Sequence, residues 1–303
     1  MASPSSFKLK SPYFLGCPVW NCPAWISTVF SPKTKSKDLL KNYARIFNAV
    51  EGNSTFYAIP QMPTVERWMA ETGDNFQFCL KFPKSITHDR RLIGTHQETL
   101  EFLKLLEAFQ DGNRLGACFL QLSPSFNINN IHVLEAYLKN LPVDFKYAVE
   151  PRHISFFDDG DNERTLNELL RDMKVDRVTF DSRPLFSVKE KDSHELDAAS
   201  RKPQLPVRHS ETNSTPFLRF VASNKIELND PWINEWVPII NKWILEEKRP
   251  YVMVHAADEA YAPFVAKRLH QRLQKLNPLI PNLSGFYNPD SDEPQLQEQL
   301  DLF

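Results

Sequence analysis

At 303 residues and 42% apolar content the chain is long enough for one large barrel or two modest domains, with ample material for a packed core. Its 36 Lys and Arg against 38 Asp and Glu leave a formal charge of −2, which excludes a protein that coats nucleic acid through a broad basic surface but allows a local basic groove. Residues 1–12 read as a flexible segment without the apolar run of a signal peptide, and no stretch is long enough to span a bilayer, so the chain is expected in the cytoplasm with no membrane partner.

In chain order, short apolar runs rich in β-branched and aromatic residues alternate with longer amphipathic stretches, the rhythm of βα units around a parallel sheet. Strands are expected near Tyr13–Cys17, Phe47–Asn53, Phe76–Phe82, Gly116–Leu122, Lys146–Glu150, Arg177–Asp181, Phe217–Val221 and Tyr251–His255. Helices are expected over Asp38–Arg45, Thr64–Glu71, His96–Gln110, Ile131–Asn140, Glu163–Met173, Trp232–Glu247 and Tyr261–Leu276. Pro63-Thr64 opens the second of these ahead of Val65, Trp68 and Met69 on one face. Eight such units predict a single TIM (β/α)8 barrel over residues 13–287; a doubly wound open sheet is the alternative.

The rhythm breaks at residues 183–215, where a charged stretch and Pro203 and Pro206 read as a long inserted loop, either a lid or a surface excursion. With 8 Gly and no Gly-rich phosphate loop, a Rossmann or P-loop fold is not expected. The 4 Cys form no Cys-x-x-Cys pair; Cys79 and Cys118 read as buried thiols, and Cys17 and Cys22 as packing residues beside Trp20.

In a barrel the polar residues that end each strand converge on one mouth. Glu51, Glu150 and Asp181 are candidates to divide general acid and general base roles, and His88 or His255 can serve either near neutral pH. Asn53, Tyr57, Lys81, Gln121, Arg152 and Arg219 are candidates to bind substrate, the cations matching a phosphate or carboxylate. Arg–carboxylate pairs that merely stitch the rim are the alternative for each of these. Glu51, Glu150, Asp181, His255 and Asp258 also offer ligands to a divalent metal, yet there is no His-x-His or His-Glu-x-x-His pattern and the nearby cations oppose one, so no cofactor is assigned. Trp20, Trp25, Phe56 and Tyr57 offer faces either for stacking or for the core.

Several of these segments together resemble the YecE-like family of TIM-barrel proteins, from about Tyr13 to Leu276. They include Val50-Glu51-Gly52-Asn53, Phe78-Cys79-Leu80-Lys81-Phe82-Pro83, Leu120-Gln121-Leu122, Val149-Glu150 with Arg152-His153, Lys202-Pro203, Leu218-Arg219-Phe220, and Tyr251 with His255 and Asp258. The resemblance implies a barrel with a shared polar mouth and no established reaction. Val221-Ala222 stands where that family usually has a pair ending in Gly.

Residues 288–303 are polar, acidic and broken by proline until the last five, Gln299-Leu300-Asp301-Leu302-Phe303. These resemble the peptide that docks in a groove of the bacterial sliding clamp, with Gln299 making polar contacts and Leu302-Phe303 filling a pocket. The resemblance implies the clamp as a partner, and with it DNA. Combined with the mouth, it leads to the expectation of a DNA-associated hydrolase of phosphodiesters or an enzyme that processes nucleotides. The alternatives are an enzyme acting on a small phosphorylated or carboxylated sugar and a non-catalytic clamp-binding adaptor.

Overall fold

The computed structural model describes residues 11–289. The flexible segment expected at the N-terminus, except its last two residues, and the peptide Gln299–Phe303 lie outside the described residues. Eight parallel strands form the inner layer: β1 (Phe14–Cys17), β2 (Ala49–Gly52), β3 (Gln77–Leu80), β4 (Cys118–Gln121), β5 (Tyr147–Glu150), β6 (Asp176–Asp181), β7 (Phe217–Ala222) and β8 (Tyr251–Ala256). Their order, β3-β2-β1-β8-β7-β6-β5-β4, places β1 beside β8 and excludes the doubly wound alternative. The remaining seam is bridged where Phe78 meets Leu115 and Lys81 meets Phe119, with Gly116 N donating to Phe78 O (2.9 Å) and Phe82 N to Phe119 O (3.0 Å).

Around the strands run α1 (Leu39–Ile46), α2 (Met62–Glu71), α3 (His96–Asp111), α4 (Ile131–Lys139), α5 (Asp161–Asp172), α6 (Arg183–Ser187), α7 (Ser193–Arg201), α8 (Asp230–Leu245) and α9 (Ala262–Leu276). The segment read as a long inserted loop therefore carries two short helices, α6 and α7. Asp192 caps α7 by accepting from Glu195 N (2.8 Å), while Glu195 Oε2 accepts from Asp192 N (3.1 Å). The same side chains reach across to the end of β7, where Asn224 Nδ2 donates to Asp192 Oδ2 (2.8 Å) and Asn224 N to Glu195 Oε1 (2.9 Å).

Side chains alternate across each strand, so every second residue points into the barrel. Phe14, Ala49, Cys79, Phe119, Ala148, Val178, Phe217 and Met253 form one apolar layer inside it, whereas Leu218, Phe220, Val252 and Val254 join the core shared with the helices. Small residues are needed where strands approach closely. A Cβ on Gly16 would stand 2.1 Å from Ala49 O, and the phenol of Tyr43 fills the space beside it, accepting from Cys17 N (2.6 Å) and donating to Ala49 O (2.8 Å). The thiols of Cys17, Cys79 and Cys118 are buried and free.

Candidate functional site

The apolar layer decides which residues line the mouth. Two residues beyond Ala49, Cys79, Phe119, Ala148, Phe217 and Met253, on the same inward face, stand Glu51, Lys81, Gln121, Glu150, Arg219 and His255. Each is buried except Gln121, which is half-buried.

Arg219 is the hub. Its Nε and Nη2 donate to the two oxygens of Glu51 (2.8 and 2.6 Å), and its Nη1 donates to Glu150 Oε2 (2.6 Å). His255 Nε2 lies 3.1 Å from Glu51 Oε2, and Asn53 Nδ2 donates to Glu51 Oε1 (2.8 Å). Glu150 Oε1 accepts from Arg152 Nε and from Gln121 Nε2 (2.9 Å), and Gln121 Oε1 accepts from Lys81 Nζ (2.9 Å). Aromatic faces support the cations: Lys81 Nζ is 3.8 Å from the Phe56 ring centre, and Arg152 is 4.2 Å from that of Phe180.

These contacts set the charges. Burial alone would raise both carboxyls, but Arg219 and His255 hold Glu51 well below its usual range, and Arg152 with Arg219 holds Glu150 at about 2. Burial, and after it the neighbouring Arg219, lowers Lys81 from 10.5 to about 7 despite Glu150 and Glu51. His255 is brought to about 4 by burial, against the pull of Glu51. The mouth thus contains two fixed anions, two guanidinium cations, a neutral imidazole and an ammonium that titrates near neutrality.

Other candidates fall elsewhere. Asp181 is buried, but its inward neighbours are Val178 and Phe180, so it faces outward, where its oxygens accept from Arg183 and from Trp236 Nε1 (2.8 Å). Its expected place beside Glu51 and Glu150 is therefore corrected; strand parity is the reason. Tyr57 is 80% exposed and lines a separate cleft with Pro83, Lys84, Ser85 and Asp89. His88 stands at the rim on the turn Ser85–Asp89, its Nδ1 2.9 Å from Thr87 Oγ1, and burial together with Lys81 and Arg152 lowers it to about 4. Trp25 belongs to the core, and Trp20 packs edge-on against Trp68 (5.0 Å).

Of the five groups weighed as metal ligands, His255 lies against Glu51 and Glu150 stands across Arg219, while Asp181 faces outward. Among the described residues no group of three or more His, Cys, Asp or Glu side chains could hold a metal ion. Glu51 and Glu150 are instead engaged by Arg219, and Asp258 Oδ1 accepts from Ala260 N (2.9 Å).

Two residues absent from the candidate set enter the site. Lys202, following α7, lies within electrostatic reach of Arg219, Glu259, Glu51 and Arg152, and Glu259, in the turn after β8, lies within reach of Lys202 and Glu51. Lys202 was visible in the Lys202-Pro203 pair of the family-like segments; nothing in the sequence marked Glu259.

Fold and site together define a parallel (β/α)8 barrel with a buried, arginine-centred polar mouth at the C-terminal ends of its strands. The chain belongs to the family described as "Protein of unknown function DUF72", whose family model matches residues 14–284. The UPF0759 protein YecE of Escherichia coli (strain K12) is 35% identical over 267 residues, covering 88% of this chain and 94% of that protein. The UPF0759 protein YunF of Bacillus subtilis (strain 168) is 32% identical over 147 residues, 46% of this chain and 51% of the relative. Two solved structures share the fold. A DUF72 family protein from Thermotoga maritima MSB8 has a TM-score of 0.66 at 21% identity, over 86% of this chain and 99% of its own. One from Enterococcus faecalis V583 has a TM-score of 0.62 at 19% identity, over 88% and 97%. No helix among the described residues is long and apolar enough to cross a membrane.

Proposed function

We propose that the chain is an enzyme that takes a phosphate-bearing ligand at its barrel mouth, hydrolysing a phosphodiester or processing a nucleotide. The observation that carries this reading is Lys81: a buried ammonium with no carboxylate in ion-pair contact among the described residues, held only by Gln121 and the face of Phe56. A buried cation without a counter-ion is costly, and a bound anion removes that cost. Arg152 beside it adds a second cation, and an ammonium titrating near 7 can give or take a proton at the ligand. Glu51 and Glu150 keep Arg219 fixed so that the cationic edge is preorganised.

The test is calorimetric titration of the full chain with inorganic phosphate and a nucleoside monophosphate, followed by turnover of a chromogenic phosphodiester and of oligonucleotides. Binding and turnover should both fall at least tenfold in Lys81→Met. Absence of binding by the wild-type chain sinks the reading. Turnover of small sugar phosphates with none of oligonucleotides moves the substrate to that class.

The pentapeptide Gln299–Phe303 favours a second element, recruitment to the bacterial sliding clamp. Tethering raises the local concentration at replicating DNA, so a chain of net charge −2 needs no basic surface to work there. An adaptor without catalysis is distinguished by Glu51→Gln and Glu150→Gln, each checked to be stably folded: cellular function survives these in an adaptor and is lost in an enzyme.

A further inference from the structure

The strand alternation that builds the mouth also builds the opposite end of the barrel. Two residues before Cys79, Ala148, Val178, Phe217 and Tyr251, on the same inward face, stand Gln77, Lys146, Asp176, Thr215 and Arg249. Gln77, Lys146 and Arg249 line a cavity of about 240 Å³ together with Asn75, Gln110 and Asp144. Phe14, from the apolar layer inside the barrel, also lines it, and the Arg249 guanidinium lies over that ring, 4.7 Å from its centre. Neither this guanidinium nor the Lys146 ammonium has a hydrogen bond or an ion pair among the described residues. Two carboxylates at this end are engaged elsewhere. Asp176 Oδ1 accepts from Thr215 N (3.2 Å) and its Oδ2 from Thr215 Oγ1, while Asp74 Oδ1 accepts from Arg114 Nη2 (2.9 Å). Lys146 and Arg249 are both exposed, so a ligand can reach them.

We propose that this cavity is a second anion site, separate from the mouth, which takes the phosphate of a small hydroxylated monoester between Lys146 and Arg249. Two cations lining one cavity without a counter-ion repel each other, and burial, and after it Arg249, lowers the Lys146 ammonium below its usual range. A phosphate offers acceptors to both, to the guanidinium as a planar fork of donors and to the ammonium as a point charge. The Phe14 ring steadies the guanidinium at the cavity but provides no lone pair for its N–H groups. The rest of the lining suits hydroxyl groups. Asp144 can accept O–H, and the side-chain amides of Asn75 and Gln110, which make no hydrogen bond among the described residues, can both donate and accept. The cavity is smaller than the roughly 300 Å³ at which drug-sized sites begin, so the organic part is short. No residue of the mouth enters this site, and it stands whether or not the mouth is catalytic.

Glycerol 3-phosphate and inorganic phosphate are the probes for calorimetry of the full chain near neutral pH, with Lys81→Met used to remove the mouth cation. Lys81→Met should still bind glycerol 3-phosphate, and more tightly than inorganic phosphate. Adding Lys146→Met or Arg249→Met to it should weaken that binding about tenfold. Lys146→Arg in the same background should keep it, since the charge and the donors remain. Thermal melts check that each variant is folded. Absence of binding by a folded Lys81→Met, alongside binding by wild type, overturns this site and leaves the mouth reading standing. Unchanged affinity when Lys146→Met and Arg249→Met are added also overturns it. Inorganic phosphate held as tightly as the ester overturns the assignment of the organic part. Full wild-type affinity in Lys81→Met that is lost on adding Lys146→Met supports this site and sinks the mouth reading.

Discussion

Arg219 and Glu51, 168 residues apart in the chain, meet inside the barrel as a two-pronged pair in which Nε and Nη2 of the guanidinium each donate to a different carboxylate oxygen, at 2.8 and 2.6 Å. Neither partner is accessible enough for water to replace the other, so the pair behaves as one unit.

Removing the hub should be far more damaging than cutting an exposed pair. Arg219→Met leaves Glu51 and Glu150 buried without their shared counter-charge and should cost about 3–5 kcal/mol. Lys139→Ala, which breaks an exposed contact with Glu135, should cost about 0.5 kcal/mol or less. Urea denaturation measures both; similar losses would contradict the assignment of the hub.

Stability should fall in two acid steps. His255 is held near 4 in the fold but near about 6.5 in the unfolded chain, so the unfolded state binds more protons between these values and stability is lost as pH falls through that window. Glu150 is held at about 2 against about 4.3 when unfolded, so its contribution is present above the upper value and is lost below it. Urea midpoints followed against pH should show both limbs. His255→Gln should flatten the upper one, leaving the slope due to His88 and His270, which burial also lowers. An unaltered upper limb in that variant would assign the step to the other two.

Gly16→Ala should be poorly tolerated. The added methyl would meet Ala49 O at 2.1 Å and crowd the Tyr43 hydroxyl that links β1 to β2. A loss of about 1–3 kcal/mol or more is expected from such overpacking, read as a lower melting temperature. A variant as stable as wild type would mean that the strands can separate there without cost.

Asp192→Ala should loosen the segment that brings Lys202 to the mouth. It removes the cap of α7 and the bond to Asn224 together, a local loss of about 1 kcal/mol or more. Hydrogen exchange should quicken in α7 and stay unchanged in β7. Equal protection of α7 in Asp192→Ala and wild type would show that α7 is held without its cap.

Binding to the bacterial sliding clamp should be micromolar or tighter, about 8 kcal/mol at the standard state, and should vanish in Leu302→Ala with Phe303→Ala. The melting temperature should not move. Clamp binding that survives the double substitution would detach recruitment from the pentapeptide.

Much of this molecule was written in local pattern. The alternation of apolar strands with amphipathic stretches carries βα periodicity directly, because period 2 and period 3.6 are set by neighbours in sequence. All eight expected strands overlap observed ones, and each expected helix is present within a few residues. The inward position of Glu51, Lys81, Glu150, Arg219 and His255 follows from the same alternation, which also excludes Asp181 once its neighbours Val178 and Phe180 are assigned to the interior. Tertiary structure alone decided what those side chains do to one another. Closure of β1 against β8 brings Arg219 onto Glu51 and Glu150, and burial then moves Lys81 to about 7 and fixes the carboxylates as anions. Likewise, only the folded path of residues 183–215 brings Lys202 within electrostatic reach of Glu259, since electrostatic coupling depends on distance and burial in space, which separation along the chain does not encode.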